Sequence, residues 1–232
     1  MSTASIIMTT LGCVIGYLAG SLSPTILISK YYFKTDVRDH YSKNAGATNA
    51  ARIMGTKFGL IILILDGLKI GIVLAIVKLL SLINSSAFTL SETSVYISAV
   101  FAVFGHCLPI YHKFKGGKGV GPFLGFTLFL NPIYFIIATI VWWTIFLIIR
   151  VVSIASLICT ISIFCCSWIK QINNLPVNMW INHSELFFSY LLPNYWTQLI
   201  VGLIVLIVIL RHYQNIYRIF TGQEKQFSNA KL

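Results

Sequence analysis

Six stretches of the chain run for roughly 17 to 23 residues with scarcely a charge, each long enough or nearly so to cross a hydrocarbon core of about 30 Å as a helix. They lie at about 6–28, 58–80, 94–111, 133–149, 151–169 and 196–211. A chain of 232 residues that is 57% hydrophobic and only 10% charged has no polar surface to cover such runs in water. The fold class expected is therefore an all-α polytopic membrane protein. Residues 1–29 hold no Lys or Arg, so the first run lacks the basic start of a cleaved signal peptide and reads as a retained span. There is no internal repeat and no linker, so residues 1–232 read as a single integral-membrane domain.

A seventh, shorter piece is decided by charge. "VGPFLGFTLFLNP", 120–132, is short for a span, and one helix over 120–149 would pass through the breaker Asn131-Pro132. Basic residues cluster at 30–57, at 113–118, at Arg150 and after 211, whereas 81–95 and 171–195 have none. Lys and Arg collect on the cytoplasmic side. All four clusters share that side only if 120–131 crosses and the chain turns outside at Asn131-Pro132. The expectation is about seven spans, with the N-terminus outside and the C-terminus cytoplasmic. Segment 171–195 and Trp196, with Trp180, Phe187, Phe188, Tyr190 and Tyr195, reads as an aromatic interfacial stretch on the outer side.

Seventeen Lys and Arg against six Asp and Glu leave a net charge of +11. In a membrane protein this excess speaks of topology and anionic headgroups, and no soluble domain remains to carry a nucleic-acid groove. Cys13, Cys107, Cys159, Cys165 and Cys166 show neither CxxC nor Cys/His ligand spacing and read as small packing residues. No metal site and no cofactor is expected.

The polar residues crowd the cytoplasmic ends. "SKNAGATNAAR", Ser42 to Arg52, combines small residues that let backbone N–H groups approach a ligand with hydrogen-bonding Asn44, Thr48 and Asn49, and Arg52 offers a fork for phosphate. An ordinary polar loop with a helix cap at Thr48 or Asn49 would read the same way. "KFKGGKGVG", Lys113 to Gly121, turns through Gly116-Gly117 into a new helix from about Gly119, which puts Lys118 at a helix N-terminus where anions are favoured. It is not a Walker A loop, because Gly119 stands where Ser or Thr would hold a metal. "RVVSIAS" places Ser153 and Ser156 on one helix face, and "RHYQNIYRIFTGQE" places Arg211, His212 and Asn215 within one turn as the last span leaves the membrane. Asp66 and Lys69, three apart inside a span, must face a partner or a cavity. The local alternatives are helix-start hydrogen bonds for the serines, a juxtamembrane anchor for the basic tail and mutual pairing for Asp66 and Lys69. Together the clusters suit phosphate, more than one of them. Paired carboxylates, HEXXH, HX4D and GxSxG are all absent from the sequence, and no acid lies four or five residues after His106 to orient it.

In order and wording, "GSLSPTILISK", "DVRDHYSKNAGATNAARIMG", "LDGLK", "GHCLPIYHKFKGGKGVG", "RVVSIAS" and "RHYQNIYRIFTGQE" resemble the bacterial acyl-phosphate:glycerol-3-phosphate acyltransferases, the PlsY family, from about Gly20 to Glu224. The resemblance implies a seven-helix inner-membrane enzyme that moves an acyl group from acyl phosphate to the 1-hydroxyl of glycerol 3-phosphate. Products would be lysophosphatidic acid and phosphate; the partners would be the two substrates, membrane lipid and the enzyme that makes acyl phosphate. Carried over by position, the first loop, with Ser42, Asn44, Gly46, Thr48 and Asn49, holds the acyl-phosphate head. Arg52, Lys118, Ser156, His212 and Asn215 gather at the phosphate of glycerol 3-phosphate, with Arg52, Lys118, Ser156 and His212 expected in catalysis. Ser21, Lys115, Gly116, Gly117 and Ser153 fall nearby in the same motifs. Two departures stand out: Tyr41 and Lys43 occupy positions where the family usually has glycine, and Ile70 replaces the glycine after Asp-x-x-Lys. A transporter of organic phosphates is the non-enzymatic alternative, and it would show repeat symmetry or polar residues through to both faces. Another activated acyl donor remains the enzymatic one.

Overall fold

The computed structural model describes residues 3–81, 92–169, 172 and 195–227, and among them the only regular elements are helices. In chain order they are α1 (Thr3–Gly20), α2 (Pro24–Tyr31), α3 (Ala47–Met54), α4 (Thr56–Ser81), α5 (Glu92–Cys107), α6 (Val120–Leu130), α7 (Pro132–Ile149), α8 (Val152–Cys166), α9 (Trp196–Arg211) and α10 (Tyr213–Phe220). Short 3-10 turns at Val37–Asp39 and Ile110–His112 lie in the loops. Segments Ile6–Tyr31, Thr56–Leu80, Val95–His112 and Pro132–Ile149 have the length and apolarity of spans; α9 with α10 forms a bent fifth, and α6 and α8 are shorter apolar helices. The basic-free stretch 81–95 is described only at its two ends, and the aromatic segment 171–195 only at Ile172 and Tyr195.

The first apolar run is not one helix, as its composition suggested. It breaks at Ser21-Leu22-Ser23, where Ser23 caps α2 by accepting from the Ile26 N–H at 3.3 Å and Pro24 takes the first turn. The carbonyls freed at the break are met from α4: the Lys69 ammonium donates to Gly20 O and Leu22 O, each at 3.2 Å. A backbone break inside a membrane needs such a donor, because lipid supplies none.

Small residues bring the helices together. A Cβ on Gly16 would sit 2.2 Å from Ser98 O, and one on Gly20 would sit 2.1 Å from Ala102 O, so α1 lies directly on α5. Gly125 of α6 meets Gly67 of α4 in the same way. The short α6 buries Phe123, Phe126, Thr127 and Leu130, whereas α7, longer by seven residues, buries only Tyr134 and Ala138. The eleven residues of α6 are thus lined by protein, which compensates for a helix too short to match the bilayer. Asn131 then caps α7 by accepting from the Ile133 N–H at 2.9 Å, with Pro132 in its first turn, so the chain turns where the sequence indicated.

Candidate active site

Three loops meet at one end of this bundle, and each delivers cations. The second loop sits deepest. The Gly117 N–H donates to His106 O at 3.1 Å, and a Cβ on Gly117 would fall 2.0 Å from His106 Nε2. Gly116 lies equally close, its Cβ position 2.1 Å from His106 O. His106 is itself clamped: Nδ1 lies 2.9 Å from Lys69 Nζ and 3.2 Å from Asp66 Oδ1, and Asp66 pairs with Lys69 at 2.9 Å. Asp66 of α4 thus supplies the acid that the motif around His106 lacks. Lys69 joins the break in the first span to the floor of the glycine loop.

Lys118 emerges from that floor and donates to Asn215 Oδ1 at 2.5 Å. Asn215 passes the interaction on, its Nδ2 donating to Glu224 Oε1 at 2.5 Å. The same oxygen accepts from Ser153 Oγ at 2.6 Å, and Glu224 Oε2 pairs with Arg218 Nε at 2.7 Å. Burial would raise the Glu224 carboxyl, but the hydrogen bonds from Ser153, Arg218 and Asn215 outweigh it and hold the group below the usual range. Burial pushes Lys118 down to about 8, opposed by Glu224 and reinforced by Arg218, Arg211 and Arg52. Lys118 and Arg52 face Glu224 and Arg218 pairs with it, so three cations share one carboxylate while Arg211 acts on Lys118, an imbalance that favours further anions.

Backbone donors add to this field. Gly119 precedes α6 in a left-handed conformation (φ 88°) and α8 follows Val151; neither helix start has a side-chain cap. The α3 helix begins after Gly46, also without a side-chain cap, so the cap is not Thr48 or Asn49. Uncapped first-turn N–H groups and the positive end of a helix favour anions. Among the described residues, Asn44 and Thr48 make no side-chain hydrogen bond. The first loop is joined to the second by the Ala45 N–H, which donates to Gly116 O at 3.4 Å.

A profile of the family described as glycerol-3-phosphate acyltransferase matches residues 10–222. The glycerol-3-phosphate acyltransferase of Mycoplasma capricolum is 41% identical, covering 90% of this chain and 88% of its own. That of Staphylococcus aureus is 31% identical, covering 91% and 94%. Among solved structures, the crystal structure of PlsY, an integral membrane glycerol 3-phosphate acyltransferase in its glycerol 3-phosphate form, superposes with a TM-score of 0.72 at 30% identity, covering 95% of this chain and 96% of that one. Its lysophosphatidic acid form gives 0.73 at 29% identity. This chain belongs to the glycerol-3-phosphate acyltransferase family.

Within that family frame, the residues singled out in the sequence divide into two groups. Arg52, Lys118, Ser153, His212 and Asn215 converge with Glu224 on the region just described, joined by direct hydrogen bonds or by facing charges, and Ser156 lies three residues beyond Ser153 on α8. Ser156 Oγ accepts from Trp142 Nε1 at 3.2 Å. His212 lies 2.8 Å from Val208 O through Nδ1, so Nδ1–H donates there and Nε2 keeps its lone pair. His212 is the N-cap residue of α10, its carbonyl accepting from the Ile216 N–H at 2.9 Å, so it shares the first turn of α10 with Asn215, whereas Arg211 ends α9 across a 60° bend.

The second group supports the loops. Asn49 is fully engaged, its amide donating to Val37 O at 2.8 Å and His40 O at 3.2 Å while Oδ1 accepts from the Ser42 N–H. Ser21 Oγ donates to Tyr17 O and accepts from the Ile110 N–H. Lys115 points to solvent, and its carbonyl accepts from Arg38. Arg38 escaped the sequence reading; it pairs with Asp36 at 2.7 Å and donates to His112 O at 2.9 Å, fastening the first loop to the second. The Arg38 guanidinium holds the Asp36 carboxyl well below the ordinary carboxylate range. Glu224 escaped as well, although its motif ends on it. Tyr41 and Lys43 adopt positive φ, 48° and 53°, so the left-handed backbone that glycine would favour is kept without glycine.

Proposed function

We propose that the chain transfers a fatty acyl group from acyl phosphate to the 1-hydroxyl of glycerol 3-phosphate, giving lysophosphatidic acid and phosphate, the first acylation of bacterial phospholipid synthesis. Membership of the family supports acylation of glycerol 3-phosphate. The observation that carries the site is the Lys118–Asn215–Glu224 network, closed by Ser153 and Arg218, at the foot of uncapped helix starts. Such a place holds phosphates through cations and N–H dipoles.

An acyl phosphate is already activated, so no covalent acyl-enzyme is needed. Two anions must be brought together and their repulsion offset. The first loop, Ser42 to Asn49, holds the acyl-phosphate head; Lys118 and Arg52 neutralise phosphate, and Ser156, His212 and Asn215 orient glycerol 3-phosphate. The hydroxyl oxygen attacks the acyl carbon, the carbon–oxygen bond to phosphate breaks, and the hydroxyl proton passes to a phosphate oxygen of bound substrate. The enzyme lies in the bacterial plasma membrane with seven spans, its N-terminus outside and its site cytoplasmic, where an acyl-phosphate-producing enzyme would feed it.

The test is product formation by purified protein in lipid, given glycerol 3-phosphate with palmitoyl phosphate or with palmitoyl-CoA, beside Lys118→Ala. Lysophosphatidic acid from the acyl phosphate alone, lost in the variant, is expected. Product from palmitoyl-CoA would assign another donor, and product from neither by a folded protein would refute the reading. If His212→Gln abolishes turnover with binding intact and removes a bell-shaped pH profile, His212 is the base and the substrate-assisted step is wrong.

A further inference from the structure

Arg52 makes no carboxylate ion pair among the described residues, although it faces Glu224 across the site. Its guanidinium carbon instead lies 5.6 Å from the centre of the Phe227 ring. Phe227 belongs to the C-terminal tail, which turns back after α10. The Gln223 and Glu224 N–H groups donate to Arg218 O at 2.7 and 3.1 Å, Glu224 grips Ser153 and Asn215, and the Phe227 N–H donates to Arg150 O at 2.7 Å. The tail is thus tied to α10, α8 and the end of α7 before its aromatic ring reaches Arg52.

The ring is held in turn. Phe227 meets Phe146 edge-on, with centroids 5.9 Å apart, and Phe146 stacks on Trp142 at 5.0 Å and 19°. Trp142 is the residue whose indole N–H donates to Ser156 Oγ. Three rings therefore form a ladder with a site group at each end, Ser156 on one and Arg52 on the other. A guanidinium over a ring face is fixed in orientation while its N–H donors stay free. A carboxylate partner would occupy those donors.

We propose that Phe227 is a positioning residue: its ring holds the Arg52 guanidinium in the orientation that binds a phosphate monoester. The proposal rests on reading Arg52 as a phosphate ligand, and so on the function proposed above. The ring is half-buried on a tail outside the bundle core, so replacing it leaves the helical packing intact.

The experiment measures binding of glycerol 3-phosphate and of inorganic phosphate to the full chain in lipid by calorimetry, with no acyl donor, and turnover separately. Phe227→Leu, which keeps apolar bulk without a ring, should raise both dissociation constants roughly 3- to 30-fold with an unchanged melting temperature, and Phe227→Tyr should restore them. In an Arg52→Gln background Phe227→Leu should add no further loss, because the two act as one unit. Wild-type affinity in Phe227→Leu, or a full extra loss in the Arg52→Gln background, would overturn the proposal. A protein that binds neither phosphate would overturn it together with the site reading. Ring-dependent binding without acyl transfer would support it while refuting the proposed reaction.

Discussion

The first and second loops use backbone freedom for different reasons. In the first, Tyr41 and Lys43 take a left-handed conformation with their side chains in solvent, and glycine is dispensable because nothing crowds the Cβ. In the second, Gly116 and Gly117 are buried against His106, and any Cβ there would overlap it. Positive φ costs an ordinary residue about 1–2 kcal/mol, which a stable fold absorbs. Overlap with a clamped ring requires the whole Asp66–Lys69–His106 assembly to move.

The sharpest test of that contrast is Gly117→Ala beside Gly46→Ala. A Cβ on Gly117 falls 2.0 Å from His106 Nε2, whereas one on Gly46 meets only Asn44 Nδ2 at 3.1 Å, the end of a mobile side chain. Gly117→Ala should cost about 3 kcal/mol or more of stability and abolish turnover, while Gly46→Ala should stay folded, its loss confined to weaker binding of the acyl donor. Thermal unfolding in detergent with a phosphate-release assay reads both, and equal tolerance would dissolve the distinction. Next in size is Lys118→Ala, expected to lower kcat/KM roughly 10²- to 10³-fold without loss of fold. A comparable loss of melting temperature would show that Lys118 chiefly anchors Asn215.

The third effect is one of pH. Burial sets Lys118 near 8, and the ammonium is the form that attracts phosphate. As pH rises through about 8 the free enzyme loses that charge, so kcat/KM should fall up to tenfold per pH unit above it. Arg52, although lowered by burial, stays charged throughout. A flat profile from pH 7 to 10 would mean that Lys118 keeps its proton through that range or that its charge does not serve phosphate binding, which Lys118→Ala separates. Smallest are Tyr41→Gly and Lys43→Gly. Each relieves left-handed strain but adds unfolded-state freedom, so stability should shift by no more than about 1 kcal/mol, with turnover within about twofold. A large loss of activity from Lys43→Gly would mean that its ammonium serves the substrate head.

Local signals were legible where the neighbours that matter are adjacent in sequence. Asn131-Pro132 made its turn by supplying its own cap, and Gly119 ended the lysine loop at the start of α6. The break after Gly20 carried the same kind of local signal, Ser23 capping α2 with Pro24 in its first turn, and was masked by the apolar run around it. Only the donor that satisfies its carbonyls, Lys69, 49 residues away, was out of local reach. Asn49 read as a ligand group since nothing local reveals that Val37 and His40 take both of its donors. Glu224, the carboxylate at the centre of the network, looked like a tail residue for the same reason.

Composition and order by themselves determined that the chain enters a membrane as a set of apolar helices with its cations gathered at loop ends. Hydrophobic length and the placement of charge are properties of a segment and need no partner to act. Only the tertiary structure decided that three of those cations share Glu224, that His106 carries the glycine loop, and that Arg52 rests on a ring from the tail. Those are distances between groups far apart in the chain, and they exist only once packing has brought the helices together.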